Sequence, residues 1–145
     1  LFRIGVAQSG TILLDGPNVA EQATRFLEDC GSNWGARRDV IMRAGMAVGE
    51  ALEALLAAGL IKGRAKLTAG FDEYRLALTL DYPGRAWQPA DARPVDWDEI
   101  MKNDDNSVLD DVMANVSSGI IRNLADHAES NEKNGQAQLR LDFEH

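Results

Sequence analysis

The sequence predicts an α+β fold: a two-layer α/β sandwich in which a mixed, mostly antiparallel sheet carries helices on one face. Three observations lead there. Asp39–Leu60 repeats apolar residues at helical spacing, whereas Ala65–Phe71 and Tyr74–Leu80 alternate apolar with polar residues. The alternating runs are joined by a tight turn, so they form a hairpin that buries one face only. Helices therefore have one apolar sheet face to cover, and two layers result.

The elements follow in order. Phe2, Ile4 and Val6 alternate with Arg3 and Gly5, which reads as a short strand. Ser9-Gly10 is turn chemistry, with Thr11–Leu14 as a hairpin partner. Pro17 suits the first turn of a helix from Asn18 to about Cys30, with Val19, Ala23, Phe26 and Leu27 as its apolar stripe. Gly31–Gly35 reads as a break, and Trp34 as a packing residue at the joint rather than a ligand contact. Asp39 caps the long helix and Gly59 marks its end. Its stripe is Val40, Ile41, Ala44, Val48, Leu52, Leu55 and Leu56.

After the hairpin, with Asp72-Glu73 as its turn, Asp81–Pro94 reads as loop. Trp87 within it is either a clamp or a lid over apolar surface. Trp97–Lys102 forms a helical turn. A last helix runs from Val108 to about Glu129, and Asn134-Gly135 turns the chain into a strand with Leu139, Leu141 and Phe143 on one face.

Composition narrows the function. The chain has 145 residues, enough for one domain with a real core, and 45% apolar residues. A net charge of −8 argues against nucleic-acid partners and anionic membranes. Acidic residues are dense over Asp96–Asp111. No apolar run reaches the roughly 18 residues of a membrane span. The single Cys30 suits a reducing compartment and reads as a buried structural thiol, since no histidine lies nearby in sequence to activate it. A cytoplasmic domain is expected. A first residue of Leu1 rather than Met reads as a piece of a longer chain, a single domain excised from it.

Chemistry is expected at Glu50, midway along the long helix, with Ala54 one turn later. Val48-Gly-Glu-Ala-Leu52 resembles the first motif of the histidine-kinase-like ATPase domain, the Bergerat fold of the GHKL group. Gly119-Ile-Ile-Arg-Asn-Leu-Ala-Asp126, followed by Asn134-Gly135 and Leu139-Arg-Leu-Asp-Phe143, resembles the closing helix and strand of its anti-sigma-factor-like branch. The resemblance spans almost the whole chain. It implies an ATP site with Mg²⁺, in which Glu50 positions or activates a water near the γ-phosphate. Where the family has its Mg²⁺-holding Asn, this chain has Ala54, which offers a metal no oxygen. The family's second motif, Asp-x-Gly-x-Gly, falls on Asp81-Tyr-Pro-Gly84; Asp81 takes the adenine-reading place, and Gly84 comes one residue late. The phosphate-cradling glycines of the third motif fall on Asn115 and Ser117.

The resemblance thus implies a degenerate ATPase-like domain with eroded nucleotide positions at Glu50, Ala54, Asp81, Gly84, Asn115 and Ser117, weak or no binding of ATP and Mg²⁺, and no other metal. Residue by residue, alternatives stay open. Glu50 is either a surviving catalytic carboxylate or a helix residue satisfied by solvent, Arg43 or Arg64. Asp81 is either an adenine reader or a strand-end turn residue. Gly119 is a close-packing position or a phosphate contact. His127 and His145 read as surface residues without ligand-like partners.

A second resemblance is more specific. Ala23–Gly31, Trp34–Asp39 and Phe71–Arg75 resemble the soluble C-terminal domain of some bacterial xanthine/uracil permeases. That implies a regulatory or ligand-sensing module whose partners are other protein domains or a parent membrane transporter, at the inner face of the membrane. The alternatives are an active anti-sigma-type serine kinase and a ligand-free dimerisation domain forming a homodimer.

Overall fold

The computed structural model describes residues 7–87 and 116–145. The expected strand at Phe2–Ala7, the turn at Trp97–Lys102, the start of the last helix at Val108, the acidic run at Asp96–Asp111 and Asn115 lie wholly or almost wholly outside those residues. The elements are β1 (Gln8–Leu14), α1 (Val19–Trp34), α2 (Arg38–Ala57), β2 (Ala65–Phe71) and β3 (Arg75–Pro83). Helix α3 (residues 116–124) follows, then β4 (His127–Lys133) and β5 (Gln136–Glu144).

The five strands form one sheet in the order β1-β2-β3-β5-β4. Every neighbouring pair is antiparallel, so no parallel pair of the expected mixed sheet occurs among the described strands. Side chains alternate across the sheet. Leu67, Ala69, Leu76, Leu78, Leu80, Tyr82, Leu139, Leu141 and Phe143 turn to one face and are buried with Ala23, Leu27, Val48, Leu52, Leu55 and Ile121 of the helices. This is the predicted α+β sandwich, with its core between the layers. The opposite sheet face is polar, with Thr11, Thr68, Thr79, Arg140 and Glu129 side by side in register across all five strands.

Several local expectations are corrected, and packing explains each. Ser9-Gly10 is not a turn. It lies inside β1, where Gly10 faces α1 so closely that a Cβ there would stand 3.3 Å from Cys30 Sγ and 3.4 Å from Phe26 Cζ. Gly31 is not a helix break either. Helix α1 runs on to Trp34 and ends at Gly35. Gly31 is buried against α2, and a Cβ would meet Ile41 Cδ1 at 2.5 Å, so a hydrogen there lets the two helices touch. Trp34 is a packing residue, as expected, stacked on Phe71 at 6.3 Å between ring centroids.

Helix α2 begins at Arg38 and no side chain caps it; Asp39 lies in its first turn instead. Of its apolar stripe, Val40, Ala44, Val48, Leu52 and Leu55 are buried as expected, Ile41 is half-buried and Leu56 is exposed. In the β2–β3 connection, Asp72 Oδ1 accepts the backbone N–H groups of Tyr74 and Arg75, each at 2.8 Å. That local bonding turns Tyr74 out of the strand, and its ring is exposed rather than in the core row.

The largest correction is at the end of the chain. The last helix stops at residue 124. His127–Glu129, expected to be helical, instead open β4, which pairs with β5 from Lys133↔Gln136 onward. Asn134 and Gly135 both have positive φ, 55° and 76°, as a two-residue type I′ turn requires. Arg43 of α2 fastens this end: its guanidinium donates to the carbonyls of Leu124 and Glu144 and lies 3.8 Å from Asp126. Asp126 Oδ2 in turn accepts the Glu144 N–H at 2.6 Å.

Candidate functional site

Glu50 rides on α2 at the margin of the core, where the helix turns from its sheet-facing stripe towards α3. Ser117 sits in the first described turn of α3 and is nearly buried. Its Oγ donates to Glu50 Oε1 at 2.8 Å. Two positions singled out in sequence are thus brought together, 67 residues apart. Glu50 has neither of the cationic partners considered for it: Arg43 is committed to Leu124, Asp126 and Glu144, and Arg64 faces Asp15. Ala54 lies one turn along α2, half-buried, with only a methyl to present.

Asp81 is placed elsewhere. It belongs to β3, not to a loop, because strand pairing with β5 continues to Pro83. Its neighbours Leu80 and Tyr82 face the helices, so Asp81 points to the opposite side of the sheet from Glu50. There its Oδ1 accepts from Gln138 Nε2, its cross-strand neighbour, at 2.9 Å. No ligand is needed to satisfy that carboxylate.

The residue that does face the helix layer here is Tyr82. It is fully buried, and its hydroxyl donates to the Arg85 carbonyl at 2.8 Å. Burial pushes its phenol above the ordinary value of 10.0, Glu132 adds to the rise, and a hydrogen bond with the Trp87 backbone opposes it. Nothing in the apolar-polar alternation distinguishes Tyr82 from a core residue, which is why sequence reasoning passed over it.

Gly84 is explained by close approach. Its φ is 144°, and a Cβ would stand 1.8 Å from the Leu60 carbonyl oxygen. Backbone bonds close around it: Lys62 N–H to Pro83 O, Arg85 N–H to Leu60 O, and Gly84 N–H to Gly135 O. The segment after β3 is therefore stitched between the α2–β2 connection and the β4–β5 turn. Ala86 N–H adds a bond to Glu132 Oε1 at 2.8 Å, and Trp87 lies over the edge of the core.

Gly119 and Asn115 complete the expected positions. Gly119 lies within α3, whose helical pattern runs through residues 116–124, and Asn115 is outside the described residues. His145 is no free surface group, since its Nε2 accepts the Arg37 N–H at 2.8 Å and its ring meets Phe71 edge-on. His127 lies 3.4 Å from Glu129 at the surface. Cys30 is half-buried under β1, and burial, with Asp29 beside it, pushes its thiol up. Among the described residues no three His, Cys, Asp or Glu side chains gather as a metal site, and no helix is long and apolar enough to cross a membrane.

Two hollows stand apart from Glu50, Asp81 and Gly84. A groove of about 530 Å³ runs along the outside of the helix layer between α1 and α2, and a smaller one of about 310 Å³ lies among Arg75, Asp126, His127, Arg140 and Asp142. The chain matches no protein-family model and no curated protein.

Proposed function

We propose that this chain is a histidine-kinase-like ATPase domain that has kept its scaffold and lost its nucleotide chemistry, and that it works as a regulatory, ligand-sensing or interaction module. Support comes first from element order. The long helix with Glu50 on it, the hairpin, and a later helix that leads into a last strand, with the helices on one sheet face, agree with the layout the resemblance implies; the added edge strand β4 is not part of that expectation.

The observation that carries the loss of chemistry is Tyr82. In the family's second motif the Asp stands two residues before its first glycine. Tyr82 stands two residues before Gly84 and faces the helix layer, whereas Asp81 faces away. A buried aromatic ring thus takes the place of the adenine-reading carboxylate. Ala54 brings no oxygen for Mg²⁺, which depends on few protein oxygens. Glu50 is held by a neighbouring hydroxyl. Gly84 is occupied by backbone packing against Leu60 rather than left open to a ligand. The described residues therefore do not fit Mg²⁺ and a nucleoside triphosphate, and no catalytic step is assigned to Glu50.

The resemblance of Ala23–Asp39 and Phe71–Arg75 to permease tails supplies a setting: a cytoplasmic module tethered to a nucleobase transporter at the inner membrane face. Calorimetric titration with ATP, with and without Mg²⁺, tests the reading. No binding at concentrations up to about 1 mM is expected, since each lost charged contact costs about 1.5–3 kcal/mol, or one to two decades in affinity. Tight, Mg²⁺-dependent binding overturns it.

A further inference from the structure

The outer face of α2 presents exposed apolar side chains. Met42 and Met46 are each 59% exposed and Leu56 is 48% exposed. They share one side of the helix with Arg38, Gly49 and Glu53, and with Gly45, buried at its α1 edge, because residues three, four and seven apart line up along a helix. Beside them runs the open groove, with Thr24 and Glu28 of α1 on its other wall. Gly49 faces open space: a Cβ built there meets nothing within 4 Å.

We propose that this face is a homodimer interface in which α2 packs antiparallel on α2 of a second copy. The sequence of the face says what fits it. About a two-fold axis passing between Gly45 and Met46, Arg38 lies as far before the axis as Glu53 lies after it, and Met42 as far as Gly49. Across that axis the exposed Met42 thioether meets Gly49 of the second copy, and Met46 comes level with Gly45, which is itself buried but lines the groove. Each arginine meets a glutamate. An isologous interface needs this self-complementarity, with knob opposite hole and cation opposite anion on one patch. Neither Arg38 nor Glu53 has an ion-pair partner among the described residues.

A different partner would require no such mirror relation. Glycines let helix backbones approach closely, and methionine adapts to an irregular hole. One helix pair with the α1 rim is smaller than a standard interface of about 1,600 Å², so the dimer is concentration-dependent rather than permanent. The −8 charge of each copy opposes association at low salt, and measurements belong near 0.15 M.

Sedimentation equilibrium over a concentration series is the test. The unmodified chain is expected to show a monomer–dimer equilibrium. Met42→Lys combined with Met46→Lys should raise the dissociation constant at least tenfold, with circular dichroism unchanged because both side chains are exposed. Arg38→Glu alone and Glu53→Arg alone should each weaken the dimer, and the two together should restore it. A chain that stays monomeric up to about 1 mM overturns the proposal. So does a dimer indifferent to the methionine pair, or a charge swap that fails to restore what the single changes lose.

Discussion

Ser117 Oγ donates a 2.8 Å hydrogen bond to Glu50 Oε1, joining the start of the described α3 to the middle of α2. The bond has a charged acceptor and a nearly buried donor, so its loss leaves a half-buried carboxylate less well satisfied. Ser117→Ala is expected to cost about 1–2 kcal/mol in urea unfolding. In a double-mutant cycle with Glu50→Ala the two changes should couple by about 0.5 kcal/mol or more. Strict additivity would mean that the bond contributes nothing to the fold.

Tyr82→Phe removes only the hydroxyl that the Arg85 carbonyl accepts, and a loss of about 1 kcal/mol is expected. Tyr82→Asp restores the family's residue type but buries a carboxylate among Leu80, Leu139 and other apolar groups, so the chain should unfold or fall by several kcal/mol without gaining ATP affinity. Thermal melts with ATP present and absent measure both effects.

The same phenol sets an alkaline limit. Its folded value lies above the ordinary 10.0, so the folded state holds its proton more tightly than the unfolded chain. Stability is then complete below pH 10 and falls as pH rises from there through the folded value. The fall should flatten in Tyr82→Phe, which titration of the unfolding midpoint between pH 8 and 11 would reveal.

Gly84→Ala meets the Leu60 carbonyl at an impossible distance and forces an L-residue to a φ of 144°. A loss of about 3 kcal/mol or more is expected, read as a fall in soluble yield and melting temperature. Gly59→Ala is the comparison: positive φ as well, but no atom within 4 Å, and so a smaller loss.

Gly31→Ala should raise helix propensity by about 1 kcal/mol and still destabilise, because the new methyl meets Ile41 at 2.5 Å. Ile41→Val in the same chain removes the terminal carbon Cδ1 and should recover part of the loss. If Gly31→Ala alone is stabilising, the α1–α2 contact is looser than described.

Much of the architecture was legible in the order of residues. Periodicity at Val40, Ala44, Val48, Leu52 and Leu55 is dictated by a helix with one buried face, and alternation at Leu67–Phe71, Leu76–Leu80 and Leu139–Phe143 by strands with one buried face. Those periods are local consequences of backbone geometry, so a linear reading recovers them. Strand β4 was missed because it is an edge, where Glu129, Glu132 and Lys133 are exposed and only Ala128 is buried; its one signal was Asn134-Gly135.

What the sequence determined by itself is therefore the two-layer class, the long helix with Glu50 on it, and the central hairpin. The tertiary structure alone decided what its glycines are for and which carboxylates face which way. Gly10, Gly31 and Gly84 look like turn residues in a string, yet another element packs closely on each, and at Gly31 and Gly84 it comes too near for a side chain. Asp81 and Tyr82 are neighbours in the chain but lie on opposite sides of the sheet, because the pleat alternates and register is fixed by pairing with β5. Distance and facing between remote segments are properties of packing, and no local pattern encodes them.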